Sequence, residues 1–115
     1  MTLTEKDIEN EILTYLAYVG RGFFWKCNNV GVYDPRIGAY RKAKSKHIIR
    51  GVSDILGVLD GRFVAIEVKK PGGKVSEHQQ NYLDRINKEG GIGFVAYSVE
   101  DVTKELFNAG STRKE

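Results

Sequence analysis

Gly51-Val52-Ser53-Asp54-Ile55-Leu56-Gly57-Val58-Leu59-Asp60-Gly61-Arg62-Phe63-Val64-Ala65-Ile66-Glu67-Val68-Lys69 is the stretch that decides the fold. Two strand-like runs, VSDILGVL and RFVAIEVK, flank Asp60-Gly61, a pair strongly favoured in two-residue type I′ hairpins. With that turn Leu59 faces Arg62, and the same register carried back sets Asp54 opposite Glu67. Opposed residues have Cβ atoms about 4.5–5.5 Å apart, and like charges there destabilise the pair. A cation between the two carboxylates removes the conflict. Strand alternation puts Lys69 on the Glu67 face and turns Val64, Ile66 and Val68 toward the core. One face of the hairpin thus carries two acids and a lysine.

Those are the parts that phosphodiester hydrolysis requires. Two hard oxygen ligands suit Mg²⁺, which retains waters and bridges to a substrate phosphate. The ion acidifies water and offsets charge on phosphoryl oxygens. A lysine beside it orients or deprotonates the attacking water, or stabilises the pentavalent state. The plainer alternative is a surface salt bridge between Glu67 and Lys69 with Asp54 at a turn. Glu-x-Lys alone is common; the register of Asp54 carries the functional reading.

Outward from the hairpin, Thr4 caps a first helix to about Val19, with Ile8, Ile12, Leu16 and Val19 on one face. Gly20 and Gly22 stop it, and residues 23–28 read as a strand. Residues 29–50 break into turn residues and cations, predicting a mobile loop or polar hairpin. Downstream, Pro71-Gly72-Gly73 form a turn, and Ser76 with Gln79 makes a capping box for a second helix ending at Gly90-Gly91. Residues 92–97 form another strand. Ser98 with Asp101 caps a last helix to about Asn108, and residues 111–115 are a frayed tail. The order α-β-β-β-α-β-α predicts an α/β fold, helices on a mixed sheet, as one domain over residues 1–110.

Composition agrees. The 115 residues are 41% hydrophobic and 29% charged, an ordinary globular balance. No apolar run is long enough to span a bilayer, and the acidic, amphipathic N-terminus is not a secretory signal. The single cysteine, Cys27, excludes an internal disulfide and a thiolate zinc cluster, so an intracellular protein is expected. Net charge is +3, yet residues 21–50 hold Arg21, Lys26, Arg36, Arg41, Lys42, Lys44, Lys46 and Arg50 against Asp34 alone, a local +7 that leaves −4 elsewhere. Such a segment fits a polyanion partner, or a solvated lysine-rich loop. Lys70 and Lys74 flank the acidic strand and are further phosphate candidates. Phe23, Phe24 and Trp25 are suited to stacking on bases, but at a strand start they are expected in the core. His47 and His78 lack ligand partners at metal spacing.

Gly51-Val52-Ser53-Asp54, Glu67-Val68-Lys69, Pro71-Gly72-Gly73, Ser76-x-x-Gln79 and Gly90-Gly91 together resemble the VRR-NUC family, the virus-type replication-repair branch of the PD-(D/E)XK nucleases. The resemblance runs from about Glu5 to Ser98, with Ser53 standing where proline is common. It implies the restriction-endonuclease-like αβββαβ core and Mg²⁺-dependent DNA cleavage, with Mn²⁺ able to substitute. For stand-alone members it implies a homodimer acting on branched DNA such as four-way (Holliday) junctions, in a bacterial or phage-infected cytoplasm. A flap or single-strand nuclease, or an inactive DNA-binding module, are the competing expectations. Carried over by residue, Asp54 and Glu67 resemble the metal ligands, Val68 offers its backbone carbonyl, Lys69 resembles the catalytic lysine, and Gln79 the glutamine on the following helix. The resemblance also implies a first-helix acid near the metal; Glu5, Glu9 and Glu11 are available, and Glu9 fits the spacing best.

Overall fold

The computed structural model describes residues 3–27, 32–41 and 47–108. Helix α1, Glu5–Val19, starts where expected: the Thr4 side chain accepts from Asp7 N while the Asp7 carboxylate accepts from Thr4 N, and Gly20 closes the helix with a left-handed φ of 73°. Strand β1, Phe23–Lys26, precedes a small hairpin of β2, Val32–Asp34, and β3, Ala39–Arg41. That hairpin is one of the two forms expected for residues 29–50. Lys42, Lys44 and Lys46 lie outside the described residues, as do residues 111–115.

Strands β4, Ile55–Leu59, and β5, Arg62–Val68, form the predicted hairpin, with Leu59 opposite Arg62 and Ile55 opposite Ile66. Asp60 at φ 52° and Gly61 at φ 80° give the two positive dihedrals a type I′ turn demands. The first strand is shorter than the sequence predicted: Val52–Asp54 precede β4, and Asp54 stands one residue before it, continuous with its register. Helix α2, Glu77–Lys88, leads to β6, Ile92–Ala96, which pairs parallel with β5. Helix α3, Val99–Val102, is capped by Ser98, and a π-helical segment continues to Asn108 in place of a uniform α-helix. The main sheet is mixed, in the order β1-β4-β5-β6, so the expected α/β fold with its αβββαβ order is present.

Helices α1 and α3 cover one face of this sheet, α2 part of the other. The first layer is apolar: Ile8, Ile12 and Leu16 of α1 pack with Ile55, Val64, Ile66, Val68, Phe94 and Val102. Each such fully buried side chain contributes about 1.5–3 kcal/mol of transfer free energy. Gly57 faces this layer opposite Phe24, whose ring occupies the space a Cβ would need. Strand β5 departs from the expected one-sided pattern, because Ala65 and Glu67 on its other face are buried too. Helix α2 covers them, held by the Arg62 guanidinium, which donates to Gly90 O and Gly91 O, and by the reciprocal hydrogen bonds of Asn87 with Gly93. Phe23 and Trp25 also depart from expectation: both are exposed, and only Phe24 of the three packs on the core.

Candidate active site

Asp54 and Glu67 meet at the end of the β4–β5 hairpin, as the register requires. Two backbone–backbone hydrogen bonds and one from a backbone N–H to the Asp54 side chain hold this corner. Asp54 O accepts from Cys27 N (2.8 Å), Asp54 Oδ2 accepts from Val68 N (2.9 Å), and Lys69 N donates to Ala96 O (3.0 Å). Glu67 is 2% exposed. Its Oε2 accepts from Gln79 Nε2 at 2.9 Å, whereas its Oε1 is buried and, among the described residues, receives no hydrogen bond. Lys69 Nζ lies 3.9 Å from Glu67 Oε2 with its side chain 14% exposed, so the Glu67–Lys69 pair exists but is not a surface salt bridge.

Burial, and then the neighbouring Asp54 carboxylate, push the Glu67 carboxyl up to about 8; Lys69 pulls it back and Glu5 adds a small further push. The cause is ordinary: an acid removed from water beside a second acid favours its neutral form. A proton shared with Asp54, or a cation between the two, satisfies both. Glu67 Oε1, the Asp54 carboxylate and the Val68 backbone carbonyl would offer only oxygen donors, the chemistry that Mg²⁺ or Mn²⁺ takes, ions that need only one or two carboxylates and keep waters of their own.

Gln79 has both roles that its position permits. Its Oε1 accepts from Ser76 N, completing the capping box, while its Nε2 holds Glu67. Gln80 instead turns outward to Asp84. The start of α2 is placed by Gly51, which at φ 77° lies so close to the His78–Gln79 backbone that any Cβ would collide with it. Gly51 was legible in the sequence as part of a motif, but its contact with α2 was not.

The first-helix acids separate. Glu9 is buried and its Oε2 pairs with Lys26 Nζ at 3.0 Å, so two residues expected to serve metal and DNA respectively face each other. Glu5 is exposed, yet its carboxylate stands beside the Gly73 turn and weighs on the ionisation of Glu67. Glu11 is exposed and lines a groove with Tyr15 and Tyr18. Among the described residues no three His, Cys, Asp or Glu side chains gather as a metal cluster, so none of the three glutamates is brought together with Asp54 and Glu67 as a third ligand. Arg36, Arg50, Lys70 and Lys74 are exposed; of Arg41 the backbone alone is described.

Ser53 is fully buried, and its hydroxyl has no hydrogen-bond partner among the described residues.

Comparisons with known proteins bear on the family and the fold. The chain is 32% identical over 89 residues to the Holliday junction resolvase RecU of Mycoplasmopsis pulmonis (strain UAB CTIP), an alignment covering 70% of this chain. It spans 57% of the length of that relative. A solved structure described as a VRR_NUC domain protein superposes with a TM-score of 0.60 at 16% identity, over 90% of this chain and 85% of that one, and shows the same α/β fold. The VRR-NUC domain profile matches residues 8–100, and the chain belongs to that family.

Proposed function

We propose that this protein is a divalent-metal-dependent DNA endonuclease selective for branched DNA, with four-way junctions as the preferred substrate. Family membership supports a nuclease, and the relative's name, a Holliday junction resolvase, supports the junction. The single observation that carries the reading is the buried, unpartnered Glu67 Oε1 beside Asp54: two acids arranged at a cost that a cation removes.

Asp54, Glu67 and the Val68 carbonyl would hold Mg²⁺, which when bound supplies Lewis-acid stabilisation of phosphoryl charge and a water of lowered pKa. Gln79 keeps Glu67 Oε2 engaged, which leaves Oε1 as the oxygen available to an ion. Lys69 supplies a fixed positive charge and a donor within reach of the same carboxylate, placed to orient the attacking water and offset charge on the scissile phosphate. Exposed Arg36, Arg50, Lys70 and Lys74 would position the backbone without reading bases. Two copies related by a two-fold axis would set two sites at a fixed separation, matching the two equivalent strands of a junction.

The test is cleavage of labelled four-way junction, flap, linear duplex and single-stranded DNA with Mg²⁺, Mn²⁺ or EDTA, wild type beside Glu67→Ala. Paired symmetric nicks on the junction, absent with EDTA and in the variant, are expected. Cutting mainly at the flap would keep the site and discard the junction. Tight binding without cleavage under either metal would leave an inactive DNA-binding module.

A further inference from the structure

The face of the sheet that carries Glu67 is only half covered. By register, Asp54, Leu56 and Val58 of the β4 side, Glu67, Ala65 and Phe63 of β5, and Trp25 and Phe23 of β1 share that face. Helix α2 packs over β5 and β6. Beyond it, on β1 and β4, Phe23 is 71% exposed, Val58 41% and Trp25 38%. The Phe23 and Trp25 rings lie against each other with centroids 5.3 Å apart.

Phe23 is strongly exposed and Trp25 little more than one-third exposed, and a contiguous uncovered aromatic pair marks a surface on which something can lie. Their position says what. Trp25 sits opposite Leu56, about 7 Å along the strand from Asp54 and one strand spacing of about 5 Å across. The rings therefore continue the same surface as the paired acids, within the reach of a very few nucleotides. Lys26 stands beside Trp25 on β1 and the basic segment follows it in sequence, so polyanion attraction and ring surface are linked along the chain. With about 150–250 Å² per aromatic side chain, the exposed fractions amount to roughly 160–270 Å², far below the about 800 Å² per partner of a standard protein interface. That area does suit one or two stacked bases.

We propose that Trp25 and Phe23 form a stacking platform for unpaired nucleobases next to the scissile phosphate, which makes strand opening at a branch a specificity determinant. This rests on the nuclease reading. A base leaving its stack at a branch point regains its stacking on the rings, and any base serves because each has a π-face. Paired duplex, with its bases already stacked, gains nothing there.

Trp25 is the only tryptophan, so its fluorescence reports this one place. The full chain in EDTA is titrated with four-way junction, gapped duplex and fully paired duplex, binding being followed independently by anisotropy of labelled DNA. Quenching of Trp25 by junction and gapped DNA, and none by paired duplex at saturation, is expected. The double variant Phe23→Ser with Trp25→Ser should bind gapped DNA about tenfold more weakly and paired duplex as before; Trp25→Phe should restore most of the difference. Unchanged Trp25 emission on saturated gapped DNA, or an equal loss on both DNAs, overturns the proposal. So does a concentration-dependent emission shift without DNA that tracks dimer formation and vanishes with Phe23→Ser, which would make this face a self-association surface. Wild-type cleavage with Mg²⁺ separates the two claims: no cleavage of any DNA refutes the nuclease reading, whereas cleavage with silent fluorescence refutes the platform alone.

Discussion

Gln79 Nε2 donates to Glu67 Oε2 at 2.9 Å while the same side chain caps its own helix through Ser76 N. One amide therefore couples the start of α2 to the carboxylate at the end of β5. Removing it acts on stability and chemistry together. Gln79→Ala should lower the thermal midpoint by the equivalent of about 1 kcal/mol, the usual worth of a cap. It should also weaken Mg²⁺ affinity or turnover about 10–100-fold, as loss of a ligand's supporting hydrogen bond does. Gln79→Glu puts a third acid in the cluster and should be worse in turnover than alanine. Equal activity of wild type and Gln79→Ala would show that Glu67 is oriented without it.

The raised Glu67 ionisation makes stability depend on pH. The native carboxyl keeps its proton up to about 8, the unfolded one releases it near the ordinary 4.5. Between those values the native state binds more protons at this site, so the Glu67 contribution to the stability of the metal-free protein should be fully present below the lower value, fall as pH rises and level off above the upper. Mg²⁺ binds the ionised form, so its stabilisation should grow with pH over the same window. Urea midpoints from pH 5 to 9 in EDTA check this. Glu67→Gln should flatten the slope while leaving DNA binding intact and cleavage abolished; identical slopes in both proteins would assign the effect elsewhere.

Gly51 should tolerate no side chain. Its positive φ and its contact with the His78–Gln79 backbone mean that Gly51→Ala adds both strain and a clash, costing about 1–3 kcal/mol. Because the contact is with the residue that holds Glu67, activity should fall further than the population of folded protein explains. Chemical denaturation beside single-turnover cleavage tells these apart.

Binding should weaken steeply with salt, since about one counterion is released per phosphate neutralised. Alanine at Arg41, Lys42 and Lys44, or at Lys70 and Lys74, should reduce both affinity and the salt slope and change turnover at saturating DNA little. A flat salt response would remove the basic segment from DNA recognition.

Much of the architecture was legible because it depends on neighbours in sequence. Asp60-Gly61 dictates its turn, and with the turn comes the register that joins Asp54 to Glu67. Capping residues Thr4, Ser76 and Ser98 each start a helix because their side chains reach backbone N–H groups three residues on. The hairpin within residues 29–50 was only one of two expectations, since its cations and turn residues carry no period.

What the chain alone determined, then, is the element order and the pairing of Asp54 and Glu67 with Lys69 on their face, consequences of short-range backbone preference and strand alternation. Gln79 entered the site through the family resemblance, and through backbone preference only as a cap. Tertiary structure decided how those groups are loaded. Packing of α2 over β5 buried Glu67 and left its Oε1 without a hydrogen-bond donor among the described residues. The fold matched Glu9 with Lys26, set Glu5 where its charge acts on Glu67, and left Phe23 and Trp25 uncovered. Burial and charge pairing depend on which elements meet across the sheet, and residue type along one strand carries no record of what will lie above it.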